Sequence, residues 1–261
     1  MATDAVAQVD TQTLQRMVAT ERAFAAATAQ LGLRDGFLTF FADDAVSLDP
    51  GASGAAATIG RAKDGLVKLP PAKLPVLARL EWEPCSGQIS DDGTLGWLTG
   101  PYVVSNQQSK KIDDKGAYFS VWKRQADGTY RVWLDEGIVL PQVWSCVNKF
   151  RAAPARDSGT AGAQGESLKD AERSVAEGGD AWVARLAASV RLHREGVTPM
   201  DGRDTVRRWA AGWTTVRYAL VRAERAASDD LAVTMGGYDA TSPSGPQHGT
   251  WVRVWRRKQT K

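Results

Sequence analysis

"GTWVRVWRRKQTK" (residues 249–261) and "GAYFSVWKRQADG" (116–128) are two versions of one phrase. Each alternates apolar and polar residues with period two, the pattern of a half-buried strand, and each sets a tryptophan before basic residues. A strand written twice asks for the chain to be split and its parts compared. "RAAPARDSGTAGAQGE" (151–166) supplies the split, being small, polar and without apolar periodicity. The expected organisation is a domain over 1–150, a linker over 151–166 and a second domain over 167–261.

The first piece opens on a helix. Leu14, Met17, Val18, Phe24, Ala25, Thr28 and Leu31 recur at helical spacing, with Asp10 or Thr11 suited to cap the start and Gly32 the end. A short second helix carries Phe37, Leu38 and Phe41. "AVSLDPG" is strand-like, and "IGRAKDGLVKL" a third helix closed by Pro70-Pro71. The period then falls to two. "VLARLEWEP", "TLGWLTGPYVV" (94–104), "GAYFSVWKRQ" (116–125) and "TYRVWLDEGIVL" (129–140) read as four strands, the last two joined at Asp127-Gly128.

The second piece repeats this order. "SLKDAERSVAEGGDAWVARLAA" is a helix pair broken at Gly178-Gly179, "VRLHREG" a short strand, and "MDGRDTVRRWAAG" a helix. "TVRYALVRAERA", "DLAVTMGGYDAT" and "GTWVRVWRRKQ" are three strands. Gly100 is echoed by Gly236, Tyr102 by Tyr238, Trp122 by Trp255, and Glu21-Arg22 by Glu172-Arg173. A tandem duplication is expected, its second copy lacking a counterpart of "TYRVWLDEGIVL".

Helices followed by an antiparallel meander give an α+β class. The segments "ERAFAAATAQLGLRDGFLTFFADDAVSLDPG", "LEWEP", "LGWLTGPYVV" and "YFSVWKRQADGTYRVWLDEGI" resemble the NTF2-like superfamily, of the SnoaL-like or DUF4440 type. The resemblance covers residues 11–140 and implies a cone-shaped sheet wrapped around helices over a pocket. Two tandem cones, the second shortened, are the fold it implies for the whole chain. "FADDAVSLDP" (41–50) is similar to the segment of bacterial ketosteroid isomerases that carries their general base, and Asp49 falls on that base.

A carboxylate at the lip of an apolar pocket can take and return a proton if desolvation raises its pKa. The resemblance implies hydrogen-bond donors nearby. Ala25 and Ser120 stand where the isomerases have a tyrosine and an aspartate, which argues against steroid isomerase chemistry itself. Tyr118 and Ser120 are the candidate donors here, and Phe24 and Trp122 the candidate ligand contacts. Asp49 before Pro-Gly has a competing role as a turn cap. In the second copy His193 falls on Asp49's position, with Glu195 two residues on, an acid–base pair or a surface strand pair. His248 reads as a solvated loop residue.

Three functions stay open. The first is binding of an apolar or lipid-like small organic molecule. The second is cofactor-free acid–base catalysis (an isomerase, cyclase, dehydratase or epoxide hydrolase) through Asp49. The third is a non-catalytic assembly module, so whether the chain is an enzyme is undecided. No metal and no cofactor is expected, because two histidines and two separated cysteines make no zinc site and no nucleotide-binding fingerprint is present.

A net charge of +3 gives no argument for nucleic acid or an anionic surface, although residues 1–150 sum to −2 and 151–261 to +5. No stretch is apolar enough for a membrane span. Ala5-Val6-Ala7 resembles the end of a removed leader, so an exported location is favoured on that reading and a cytoplasmic one otherwise. Cys85 and Cys146 are expected as buried free thiols, with a disulfide as the exported alternative. The "GASGAAATIG" stretch (51–60) reads as a loop beside the pocket. The two domains are expected to pack as an intramolecular pseudo-dimer through tryptophan-bearing sheet faces; a homodimer is a further arrangement.

Overall fold

The structure is a computed structural model and describes residues 2–51, 57–146, 150–153 and 166–257, with side chains from residue 11. It is an α+β protein with one large curved sheet. Helix α1 (Ala2–Leu31) is followed by α2 (Leu33–Phe40), strand β1 (Phe41–Asp49), β2 (Thr58–Arg61) and α3 (Ala62–Leu66). Then come β3 (Ala78–Trp82), β4 (Ser86–Ile89), β5 (Leu95–Asn106), β6 (Ile112–Arg124), β7 (Tyr130–Val139) and β8 (Arg151–Ala152). These eight strands share one sheet in the order β2-β1-β7-β6-β5-β4-β8, with β3 also on β5.

Several expectations are corrected. Helix α1 begins at Ala2, because the Ala-rich segment before Thr11 continues the helix rather than capping it. Phe41 opens β1 instead of ending α2, and residues 58–61 form β2 against β1 before α3 starts. The Gly32 boundary holds: its φ of 84° ends α1, and its N–H still reaches the Thr28 carbonyl. Of the loop 51–60, residues 52–56 lie outside the described residues, as do 154–165 of the linker. At the linker's start, β8 pairs parallel with β4.

The thiol expectation is also corrected: Cys85 and Cys146 form a disulfide, with Cα atoms 5.7 Å apart. The bond fastens the start of β4 to the segment that leaves β7. Tertiary approach, which spacing in sequence cannot reveal, decides this.

The second half has α4 (Leu168–Ser174), α5 (Gly179–Arg185), β9 (Arg191–Arg194), β10 (Val197–Asp201), α6 (Arg203–Ala210), β11 (Thr214–Arg225), β12 (Leu231–Ser242) and β13 (Gly245–Arg256). Gly178 and Gly179 break the helix pair with φ of 64° and 62°. Strands β11-β12-β13 form an antiparallel sheet, while β9 and β10 pair only with each other.

The two halves use the same register. Gly100 faces Tyr118, Leu98 faces Ser120 and Tyr102 faces Gly116 across β5–β6. Gly236 faces Trp251, Thr234 faces Arg253 and Tyr238 faces Gly249 across β12–β13. Trp82 pairs with Tyr102 as Tyr218 pairs with Tyr238. Both glycines answer the same close approach. A Cβ on Gly100 would stand 1.9 Å from the Glu83 carbonyl oxygen, and one on Gly236 would stand 1.8 Å from that of Ala219.

Each sheet has an inner and an outer face. Met17, Val18 and Phe24 of α1 pack with Leu98, Trp122 and Val132 on the inner face of the large sheet. On its outer face Val46, Val121, Trp133 and Leu134 join Leu231, Val233 and Met235 of the second sheet in one buried cluster. Alternation thus divides the tryptophans: Trp82 and Trp122 belong to the inner cluster, and Trp97 and Trp133 to the cluster between the sheets.

Polar ties frame this contact. Lys123 reaches Asp44 at 3.1 Å and Glu224 at 3.3 Å. Arg256 reaches Asp91 at 2.9 Å and Asp230 at 3.2 Å, and Arg257 reaches Asp229 at 2.8 Å. Arg256 is therefore paired across this boundary, and Arg257 is paired within the second half.

Candidate functional site

The inner face of the large sheet holds a buried carboxylate that sequence reading passed over. Glu21 lies on α1, on the same face as Met17, Phe24 and Thr28, and has no solvent exposure. It accepts hydrogen bonds from Trp82 Nε1 at 2.6 Å, Ser120 Oγ at 2.6 Å and Trp122 Nε1 at 2.7 Å. Trp122 Nε1 is also 3.0 Å from Ser120 Oγ. Burial raises the Glu21 pKa against the lowering effect of its three donors.

Ser120 is therefore a donor, but to Glu21. Phe24 and Trp122 are fully buried. Phe24 sits among Phe37 at 4.8 Å, Trp82 at 4.7 Å and Phe40 at 5.2 Å between ring centroids. Their contacts are with the protein's own rings.

Tyr118 differs. Its ring is buried beside Trp82, 6.2 Å between centroids, and its hydroxyl has no hydrogen-bond partner. Burial, with the nearby Glu21 and Asp135 carboxyls, holds the phenol pKa well above its ordinary value, so the group is a neutral O–H donor. Asp135 stands opposite Ser120 in the β6–β7 register, and its carboxyl is pushed well above the usual range by desolvation and by Glu21. Glu21, Tyr118, Ser120 and Asp135 thus share one face, with two carboxyls whose pKa values are raised and one phenol without a partner.

Asp49 is not part of this group. It is exposed at the end of β1, and its Oδ1 accepts the Gly51 N–H at 2.8 Å, the geometry of a turn cap. Its neighbour Pro50 instead meets the second half: His248 Nε2 lies 2.7 Å from the Pro50 carbonyl oxygen, and Nδ1 lies 2.9 Å from Asp239 Oδ1. His248 is therefore a strand residue at the contact between halves, not a solvated loop residue. Its pKa is raised by Asp239 first and by the carbonyl second.

The pairing of His193 with Glu195 is corrected. β9 ends at Arg194, and Glu195 stands exposed in a turn made by Gly196 with φ of 73°. Both ring nitrogens of His193 are buried without a partner; its ring meets Trp144 edge-on at 5.9 Å. Burial lowers its pKa to about 4.

The second half has its own buried glutamate. Glu172 on α4 accepts Trp255 Nε1 at 2.6 Å, Thr234 Oγ1 at 2.5 Å and Arg253 Nη1 at 2.6 Å. Trp255 occupies the register place of Trp122, and Arg253 that of Ser120. The Arg253 guanidinium also lies 4.1 Å from the centroids of Tyr218 and Trp251. The cation stands at the register position that the Ser120 hydroxyl holds in the first half. Among the described residues no group of three His, Cys, Asp or Glu could hold a metal.

No family model matches the sequence, and no curated protein matches it. Solved structures that match include Rv3472, a function unknown protein from Mycobacterium tuberculosis. It is 15% identical over 49% of this chain and 72% of that one, with a TM-score of 0.28.

Proposed function

We propose that the first half binds a small, mostly apolar organic molecule carrying a hydrogen-bond acceptor such as a carbonyl, whose polar end meets Tyr118 and Asp135. The observation that carries this is the unpartnered Tyr118 hydroxyl. A buried donor left unpaired costs about 1–3 kcal/mol, which an acceptor on a ligand would recover. Asp135 lies on the same face, opposite Ser120, and its carboxyl pKa is pushed well above the usual range by desolvation first and by Glu21 second. The half-buried Trp82 beside the Tyr118 ring supplies the apolar part of the site.

On this reading the chain is a tandem NTF2-like protein of the SnoaL-like or DUF4440 type, with the second cone specialised for packing. The shared register and the paired Glu21 and Glu172 networks support the duplication. Arg253 in the Ser120 position supports a structural second copy. The disulfide favours an oxidising location. Catalysis through Asp49 is the weaker reading, because its carboxylate is engaged in a turn at the surface.

Native mass spectrometry of protein purified from its source tests the proposal. A retained small molecule that is lost from Tyr118→Phe and kept by Asp49→Asn is the expected result. Loss on Asp49→Asn with retention on Tyr118→Phe would favour the enzyme. No bound molecule in either form, with no thermal shift across a panel of ketones, would leave an assembly module.

A further inference from the structure

We propose that the loop from α3 to β3 docks the protein on an anionic lipid surface. Val67, Leu69, Leu74 and Leu77 are exposed by 56%, 41%, 70% and 50%. Leu31 and Leu33, exposed by 42% and 43%, join them, because Gly32 between the two leucines meets Ala72 and Val76 of the same loop. More than half of the exposed large hydrophobic side chains among the described residues therefore gather on one side of the first half. Scattered exposed leucines need no account; a contiguous group does.

The occupant follows from charge. Residues 65–80 hold Lys68, Lys73 and Arg79 and no acid; Asp64 and Glu81 flank them, and Glu81 lies 4.0 Å from Arg79, which leaves Lys68 and Lys73 as the cations of the loop. Lys68 and Lys73 are exposed, and they alternate with the exposed leucines along "LVKLPPAKLPVL". The chain's small net charge hides this local segregation. Leucines flanked by lysines insert apolar side chains among acyl chains while the ammonium groups stay at the level of the phosphates. An apolar protein partner would not need the cations, and a soluble anion would not need the leucines. Pro70, Pro71 and Pro75 lack N–H donors, so the loop carries fewer unpaired backbone groups into a headgroup layer. No helix among the described residues is long and apolar enough to cross a membrane, so the contact is peripheral.

Flotation of the full chain with vesicles decides the matter. The protein should rise with phosphatidylserine-containing vesicles and stay behind with phosphatidylcholine alone. Lys68→Glu with Lys73→Glu should weaken flotation on the order of a hundredfold, given the attraction expected for each cation. Leu69→Ser with Leu74→Ser should weaken it by at least about tenfold through lost apolar burial. Both variants change exposed side chains, and unaltered near-ultraviolet circular dichroism would confirm their fold. Absence of flotation with anionic vesicles overturns the proposal. So does flotation that neither variant reduces, equal binding to both vesicle types, or a purified protein whose leucines are buried in a homodimer that the serine variant dissolves.

Discussion

Trp255 donates its indole N–H to Glu172 at 2.6 Å in the register position from which Trp122 donates to Glu21 at 2.7 Å. Each contact ties an early helix to its own sheet, at central strand β6 in the first half and at edge strand β13 in the second. In the second half the tie includes a cation, since Arg253 and Glu172 are 14% and 3% exposed. Removing one member of a buried ion pair strands the other. Glu172→Ala should therefore lower unfolding free energy by about 3–5 kcal/mol in urea. A loss below about 1 kcal/mol, the worth of a surface pair, would mean that the network is solvated in solution.

Much of the scaffold was readable because period-two alternation and glycine punctuation are local properties. Asp127-Gly128, Gly178-Gly179 and strands β1, β3, β5, β6, β7, β9, β11, β12 and β13 follow from them, whereas the short β2, β4, β8 and β10 were not anticipated, and β10 takes Met200 and Asp201 from the start of an expected helix. Glu21 was hidden because a helical glutamate next to an arginine reads as a solvated face. Its echo at Glu172-Arg173 was the one available signal that the position is special.

Asp135 was hidden for a geometric reason. The β6–β7 register slips at Val121/Trp122, so one extra residue, Trp133, enters β7. Alternation from Val132, which lies on the inner face, would place Leu134 there and Asp135 outside; the bulge reverses this. The disulfide and the contact between sheets depend on three-dimensional approach, which no local pattern encodes.

Glu136 lies on the outer side, across from Phe119, and desolvation raises its pKa to about 7 despite a hydrogen bond from the Leu48 backbone. The folded state then holds a proton that the unfolded state has released. Stability from this group is complete below pH 4.5 and falls as pH rises through about 7. At pH of about 8 the Glu136→Gln variant should be more stable than wild type by up to about 3 kcal/mol, and at pH of about 4 no more stable. Parallel pH profiles for the two proteins in denaturant titrations would contradict this.

Cys85 and Cys146 close a loop with a sequence separation of 61. Chain entropy assigns such a crosslink about 4 kcal/mol. Reduction, or paired replacement by serine, should lower the melting temperature and first free the segment after β7. Hydrogen exchange should quicken at β8 before it quickens at β6. Uniform quickening would place the bond's effect on the whole fold instead.

Tyr118→Phe removes a hydroxyl that has no partner and keeps the ring against Trp82. The variant without ligand should be as stable as wild type or more stable, by up to about 1–3 kcal/mol. A fall in stability of that size would show that the hydroxyl is satisfied in solution, and the binding proposal would lose its support.

His248 joins the two halves through a ring whose nitrogens face two oxygens, those of the Asp239 carboxylate and the Pro50 carbonyl. Its pKa is raised from 6.5, so the folded state keeps the proton to higher pH than the unfolded chain does. This contribution is fully present below pH 6.5 and disappears as pH climbs through the raised value. The melting temperature of wild type should exceed that of His248→Gln at pH of about 6, and the gap should shrink by pH of about 9. Asp239→Asn removes the larger cause of the raised pKa and should move the shrinkage to lower pH. A gap that stays constant over this range would mean that the ring acts as a neutral hydrogen-bonding group. Disulfide-intact protein should be used throughout, so that the titration of one imidazole is read against an otherwise constant chain.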